Sequence, residues 1–380
     1  MLPGALDHPE VVVDLGAIRR NVAFLREHCA PAAIMTVVKA DGYGHGIVES
    51  ARAAREAGSE WLGTATVAEA MALRESGDTG RILCWLDAPG PDPTAAIDAD
   101  LDLTAYSIDE LDRIAATGLP ARVQLKVDTG LSRGGATLAD WPALVAHAAE
   151  LERAGRLTIT GIWSHLSSSD EPDSPANDRQ EERFREALAV AEAAGLRPEV
   201  RHLANSAGAL LRPSARFDLV RCGLASYGLD PAPGVTPPEI AGRLEPAMTV
   251  QAPLAMVKPI EAGESVSYGA TWTAERPTTL GLVPMGYGDG IPRHASSAGE
   301  VEVEGERRPM RGRVCMDQFV VDLGGDTPPV GETAVIFGNG RGGEPTAQDW
   351  AEASDTISYE IVTRMRGRYP RRYVDTGDRP

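Results

Sequence analysis

Residues 34–46 read I-M-T-V-V-K-A-D-G-Y-G-H-G, and the fold follows from how this stretch is read. The apolar, β-rich run 34–38 predicts a buried strand. Lys39 stands at its end, and glycines then alternate with Asp41, Tyr43 and His45. Glycine there lets the backbone turn sharply or approach a ligand closely. A lysine at the mouth of an apolar strand has two readings. As a plain strand-end residue it snorkels its ammonium to water. Held inside, it loses solvation, its pKa falls, and the free amine becomes a nucleophile able to form Schiff bases with carbonyl compounds.

Outward from this strand the pattern alternates. Strand-like runs lie near 34–38, 61–64, 82–86, 101–105, 123–127, 158–163, 200–203 and 217–220, eight in all. Helical periodicity is clearest at 47–57, 67–76, 108–117, 138–153 and 180–194. The Pro-rich segment 89–93 implies a short or poor helix after the third strand. This alternation predicts an α/β fold, a (β/α)8 TIM-type barrel, whose usual size is about 250 residues. A doubly wound sheet is the alternative, but no G-x-G-x-x-G follows an early strand. Ahead of the barrel, 10–13 is a short β-rich run, and Asp14 can cap a helix carrying Ile18, Val22 and Leu25 on one face. After about Ala241 the character changes. Strand-like runs at 249–260, 278–284, 301–304, 314–323 and 332–337 are punctuated by Gly or Pro, and helical periodicity survives only near 346–353 and 358–366. The expected organisation is a barrel over 1–240 and a mostly-β domain over 241–380.

Composition narrows the class of function. The chain has 380 residues, 43% hydrophobic and 24% charged, an ordinary globular mix with room for two domains. Its net charge of −18 argues against nucleic acid, which needs a basic surface. No apolar run approaches a membrane span, and the N-terminus lacks a basic-then-apolar signal, so a cytoplasmic protein without a membrane partner is expected. Cys29, Cys84, Cys222 and Cys315 are widely spaced, with no C-x-x-C pair. Neither a disulfide framework nor a metal site is predicted.

A barrel enzyme keeps its site at the carboxyl ends of its strands. Lys39 follows the first strand; Lys126, Asp128 and Arg133 the fifth; His165 the sixth; Asn205 and Ser206 the seventh; Arg221 and Gly223 the eighth. Each has a plainer reading. His165 beside Trp163 reads also as a packed core histidine, Asn205-Ser206 as a helix cap, and Arg221 as the partner of Asp218 or another acid. The common end of the barrel is what points to a site.

The stretch V-V-K-A-D-G-Y-G-H-G resembles the signature of the bacterial alanine racemases, fold-type III enzymes that depend on pyridoxal 5′-phosphate (PLP), and further matching blocks recur from about residue 11 to 373. The resemblance implies that Lys39 carries PLP as a Schiff base. K-V-D-T-G-L-S-R-G-G (126–135) resembles the block whose arginine binds the substrate carboxylate, here Arg133, with Lys126 implied to support it as a carbamate. H-L-A-N-S (202–206) and R-C-G-L-A-S-Y-G-L (221–229) imply that Ser206 and the backbone of Gly223 and Leu224 hold the cofactor phosphate, together with Tyr43 and Tyr359. Cys222 stands where the family usually has proline, a departure expected to loosen that turn. Arg221 is implied to face the pyridine nitrogen and keep it unprotonated, with His165 orienting it.

S-Y-G-A-T-W (267–272) resembles the block carrying a second catalytic base, Tyr268. Racemisation removes a proton from one face and returns one to the other, so a base on each side is the simplest solution. G-R-V-C-M-D-Q (312–318) implies that the Met316 N–H binds the substrate carboxylate, with Asp317 supporting, and M-G-Y-G-D-G (285–290) places Tyr287 with Tyr359 at a narrow gate. Asp170, Arg293 and Arg313 resemble its outer layer. The family further implies a homodimer in which the β domain of each chain completes the barrel site of the other, and alanine as substrate, supplying D-alanine for peptidoglycan. The alternatives are a related racemase of broader or serine specificity, a PLP-dependent decarboxylase, and a non-catalytic PLP-binding barrel. The arginine implied at the pyridine nitrogen and G-R-V-C-M-D-Q speak against the decarboxylase; the segment carrying Tyr268 speaks against the carrier.

Overall fold

The computed structural model describes residues 6–86 and 92–375. They divide into two compact units. One comprises Ile18–Gly42 and Ile47–Leu244; the other comprises 6–17, Tyr43–Gly46 and 245–375. No helix among the described residues is long and apolar enough to cross a membrane.

The first unit is a barrel of eight parallel strands: Ala33–Val37, Trp61–Thr64, Arg81–Cys84, Asp102–Ala105, Ala121–Lys126, Leu157–Trp163, Val200–His202 and Leu219–Cys222. The first seven pair side by side in chain order, and the eighth pairs with the first. Between the seventh and eighth, the Asp218 N–H donates to Arg201 O and the Arg221 N–H to Ala204 O, both at 3.0 Å, which closes the ring. Met35, Trp61, Leu83 and Leu219 form a buried cluster within it. At the amino end of the fourth strand, Asp102 is fully buried and accepts from Arg81, Arg122 and the Thr160 hydroxyl.

The intervening helices start where capping chemistry allows. Thr66 and Glu69 form a capping box ahead of Val67–Glu75, and Ser107 caps Ile108–Ala116. The helix expected from 180 begins at Pro175, because proline fits the first turn, where its missing N–H costs nothing. The helix after the third strand is indeed short, Thr94–Asp98; most of the Pro-rich run 89–93 lies outside the described residues.

The second unit is built on a nine-stranded sheet in the order Met256–Ile260, Thr278–Val283, Phe319–Gly324, Glu306–Arg311, Glu300–Val303, Thr333–Phe337, Met248–Pro253, Glu10–Asp14, Arg371–Val374. The short run at the start of the chain thus belongs to this sheet, pairing antiparallel with Met248–Pro253 and parallel with Arg371–Val374. A single cut near residue 240 does not describe this division. The burial that alternates from Val11 to Asp14 fits a sheet with one covered face rather than the doubly covered strand of a parallel barrel.

Two expected strands change. The run 249–260 is two strands, because the chain crosses at Leu254 and Ala255, whose N–H groups donate to Glu332 O and Leu282 O in different parts of the sheet. The run 314–323 pairs only from Phe319; the residues before it form a loop. Gly312 there has φ 75°, and a Cβ on it would lie 2.6 Å from Val266 O, so the backbone at that point packs too closely for any side chain.

Candidate active site

The turn after the first barrel strand is left-handed. Ala40, Asp41 and Gly42 have φ/ψ of 54/46°, 57/50° and 61/41°, and Tyr43 has φ 53°. Such a run costs roughly 1–2 kcal/mol for each non-glycine residue, so it must be held. The Ala40 N–H donates to Glu69 Oε1 at 2.7 Å, the Gly42 N–H to Val38 O at 2.8 Å, and the Ile47 N–H to Asp41 Oδ1 at 3.0 Å. These bonds fix Lys39, at the head of the turn, with its Nζ 5.8 Å from the centroid of the Trp85 ring. Burial lowers the Lys39 pKa, and the charge of Arg133 lowers it further, against a smaller opposing pull from Glu69.

Lys126 ends the fifth strand and is buried, with Nζ 4.5 Å from the Trp163 ring and 5.3 Å from the Tyr106 ring. The Tyr106 hydroxyl donates to Trp85 O, tying this aromatic wall together. Burial first, and then the charges of Arg221 and Arg133, bring Lys126 down to about 8. The following loop is shaped by Asp128, whose Oδ1 accepts from the Gly130 and Ser132 N–H groups at 2.9 and 3.1 Å and leaves Arg133 exposed beyond.

Arg221, on the eighth strand, is 4% exposed, and among the described residues its guanidinium donates only to neutral acceptors. It meets Ser164 O at 2.7 Å, Leu203 O at 3.0 Å, His202 Nδ1 at 2.9 Å and His165 Nδ1 at 3.1 Å. Asp218, the acid it was open to pairing with, is instead taken by Arg201. Burial lowers Arg221 to about 9, still above neutrality, so it remains a cation. His165 and His202 are pushed well below the usual histidine range by burial and by this neighbouring charge, and both are neutral.

Ser206 opens the helix Ser206–Leu211 and is nearly buried; its Oγ accepts from the N–H of Gly223 at 3.0 Å and of Ala225 at 3.4 Å. Asn205 is the helix cap, its side chain accepting the Gly208 N–H. Cys222 is fully buried in strand pairing, and its carbonyl accepts from the Ser226 hydroxyl, so the turn is pinned although proline is missing.

In the second unit, three loops are bound to one another. The Ser267 hydroxyl donates to Arg313 O at 2.6 Å, the Tyr287 N–H to Cys315 O at 3.0 Å, and the Gly288 N–H to Met316 O at 2.8 Å. This brings together Tyr268, Tyr287 and Met316, which are 70%, 43% and 55% exposed in the single chain. Arg368 pairs with Asp317 at 2.6 Å and Asp289 at 2.9 Å, bracing the cluster. The Tyr43 and Tyr359 rings lie 6.1 Å apart in this same unit. Asp170, Arg293 and Arg313 are exposed.

Sequence reasoning missed His202 and Gln124 as members of the barrel interior. The strands that carry them, V-R-H and A-R-V-Q-L-K, hold other polar residues as well, so neither stood out.

A half-buried lysine just past a barrel strand, with cationic and neutral hydrogen-bonding groups and, among the described residues, no acid paired with the buried arginine, is the arrangement of a (β/α)8-barrel enzyme. Its particular kind is shown by comparison with known proteins. Residues 13–231 match the family model "Alanine racemase, N-terminal domain" and 247–373 the model "Alanine racemase, C-terminal domain". The chain belongs to the alanine racemase family. It is 54% identical to an alanine racemase of Thermobifida fusca, covering 96% of this chain and 98% of that one. It also resembles the solved alanine racemase of Streptomyces coelicolor A3(2), with TM-score 0.95, 53% identity and coverage of 97% and 98%. The crystal structure of alanine racemase from D-cycloserine-producing Streptomyces lavendulae gives TM-score 0.94, 50% identity and 97% coverage of both chains.

Proposed function

We propose that this protein interconverts L-alanine and D-alanine with PLP held at the barrel mouth through Lys39. The observation that carries the reading is Arg221: a buried cation whose hydrogen-bond partners among the described residues are all neutral, beside a lysine whose amine is deprotonated more easily than usual. The residues present fit the cofactor. Lys39 supplies the amine for an imine, and the Ser206 hydroxyl with the Gly223 and Leu224 backbone suits a phosphate, helped by Tyr43 and Tyr359. When bound, PLP withdraws electrons from the substrate α-carbon and acidifies its hydrogen.

The chain's own groups do the rest. Arg133 and the Met316 N–H bind the alanine carboxylate. The Lys39 amine handles the α-proton of D-alanine and the Tyr268 phenol that of L-alanine, from opposite faces. Arg221 would offer the ring nitrogen of the cofactor only N–H donors and no acceptor for an N–H, so it would keep that nitrogen unprotonated and favour rapid return of the proton over side reactions. Lys126, with a pKa of about 8, has an appreciable fraction of free amine near neutrality. That nitrogen can bond carbon dioxide and release a proton, placing a carbamate beside the cations Arg133 and Arg221. Tyr287 narrows the approach and favours a methyl side chain.

The exposed cluster of Tyr268, Tyr287 and Met316 supports a homodimer in which this cluster completes the partner's barrel site. We place the enzyme in the cytoplasm, its D-alanine serving peptidoglycan synthesis.

Purified protein with PLP and L-alanine should yield both enantiomers by chiral analysis; a faster reaction with L-serine would replace alanine as the substrate. Borohydride reduction should fix the cofactor to Lys39, and attachment elsewhere would sink the scheme. Tyr268→Phe should lower kcat by about 10²–10⁴ with PLP still bound; unimpaired racemisation would remove Tyr268 from its role.

A further inference from the structure

Inside the barrel runs a row of hydrogen bonds whose polarity is set from one end. Arg221 has donors only, and its guanidinium nitrogen lies 2.9 Å from His202 Nδ1. That nitrogen therefore accepts. Neutral His202 then carries its proton on Nε2, which lies 2.7 Å from Gln124 Oε1. The orientation of the Gln124 carboxamide follows: turned over, its NH2 would face an N–H.

The row is rigid. Gln124 and His202 are fully buried, and the His202 ring stacks on Trp163 at 6° with centroids 5.6 Å apart. Gln124 has its place because the neighbouring strand carries Gly161, where a Cβ would lie 2.6 Å from Gln124 Cδ. The register between these two strands also shifts at Val123/Gln124. Glycine is needed here for space, not for an unusual backbone conformation.

We propose that Gln124 is a positioning residue for Arg221, acting through the tautomer of His202. Its neutral oxygen holds the proton on Nε2, so that Nδ1 stays free to accept from the guanidinium and aim it. The neutrality matters. A carboxylate in this place would stabilise the imidazolium, whose Nδ1–H would oppose the arginine donor. An apolar side chain would leave the Nε2–H buried without an acceptor, and the ring would lose the bond that holds it in line with the guanidinium. The consequence for catalysis rests on the proposed racemase reading; the tautomer itself is a property of the polypeptide.

The test is two-bond ¹H–¹⁵N correlation of the histidine rings in the full-length protein, with and without PLP, at about pH 7. The expected spectrum shows His202 protonated at Nε2 and bare at Nδ1 in both forms. Gln124→Glu should give a ring protonated at both nitrogens. Gln124→Met should shift the Nε2–H signal and lower kcat about tenfold while KM changes less. Gly161→Ala, which crowds Gln124 without altering its chemistry, should reproduce the kcat loss. A wild-type His202 protonated at Nδ1 overturns the proposal, as does Gln124→Met with wild-type ring signals and kcat. Wild-type protein that lacks racemase activity yet shows the Nε2–H ring would instead sink the racemase reading alone.

Discussion

Lys126 shows how much a single buried amine can carry. It lies 6% exposed against Trp163 and Tyr106, and its pKa falls from the ordinary 10.5 to about 8. Below pH 8 it is charged in both folded and unfolded protein, and the folded state bears the whole cost of burying it, about 3 kcal/mol. Between about 8 and 10.5 the unfolded chain holds the proton while the folded one has released it, so stability rises with pH through that window. In carbonate-free buffer, Lys126→Met should therefore be more stable than wild type at pH 7 by up to about 3 kcal/mol in denaturant unfolding. The advantage should shrink as the pH approaches 10. Bicarbonate at about pH 8 should stabilise the wild type and leave the variant unchanged, because only the wild type can place a carbamate between its cations. A variant less stable than wild type at pH 7, or equally responsive to bicarbonate, would show that this lysine is neither costly nor modified.

At the scale of the element, the left-handed turn Lys39–Tyr43 depends on groups distant in sequence. Glu69 is its main clamp: one oxygen accepts the Ala40 N–H, while the other accepts those of Ala65 and Thr66 at 2.9 and 3.2 Å. The same carboxylate thus closes the capping box of its own helix, Val67–Glu75, and holds the lysine-bearing turn. Glu69→Ala should cost about 1–3 kcal/mol in unfolding and loosen PLP, read as faster loss of the cofactor on dialysis; unchanged retention would place the restraint elsewhere. The lysine motif was legible because glycines and a lone lysine interrupt an apolar run. Its handedness was not, since it comes from a partner on another helix. The barrel strands were legible as dense apolar runs bounded by turns. The sheet of the second unit was less so: Glu306–Arg311, E-R-R-P-M-R, hides its alternation behind arginines, and the apolar run through Leu254 conceals a crossing between strands. Arg133 and Arg221 stood out at strand ends, whereas Gln124 and His202 gain their meaning only when strands far apart in sequence close into a ring.

At the scale of the whole molecule, the proposed chemistry is divided. Lys39, Arg133 and Arg221 belong to the barrel unit, while Tyr268 and Met316 belong to the sheet unit and stand exposed in the single chain. Exposed tyrosines and a methionine on loops hydrogen-bonded to one another match the residue types enriched at protein interfaces. If each sheet unit serves the partner's barrel, a Lys39→Ala chain and a Tyr268→Phe chain are each inactive alone but complementary when paired. In the mixed dimer, one site combines the intact lysine of one chain with the intact tyrosine of the other, and the second site carries both defects. Random exchange makes about half the dimers mixed, each with one good site of two, so activity should return to about a quarter of wild type. If both bases of a site came from one chain, every site in every dimer would keep one defect, and mixing would recover nothing. The measurement is the D-alanine formation rate against mixing time after mild denaturant exchange; a flat, inactive time course alongside proven subunit exchange would confine each site to a single chain.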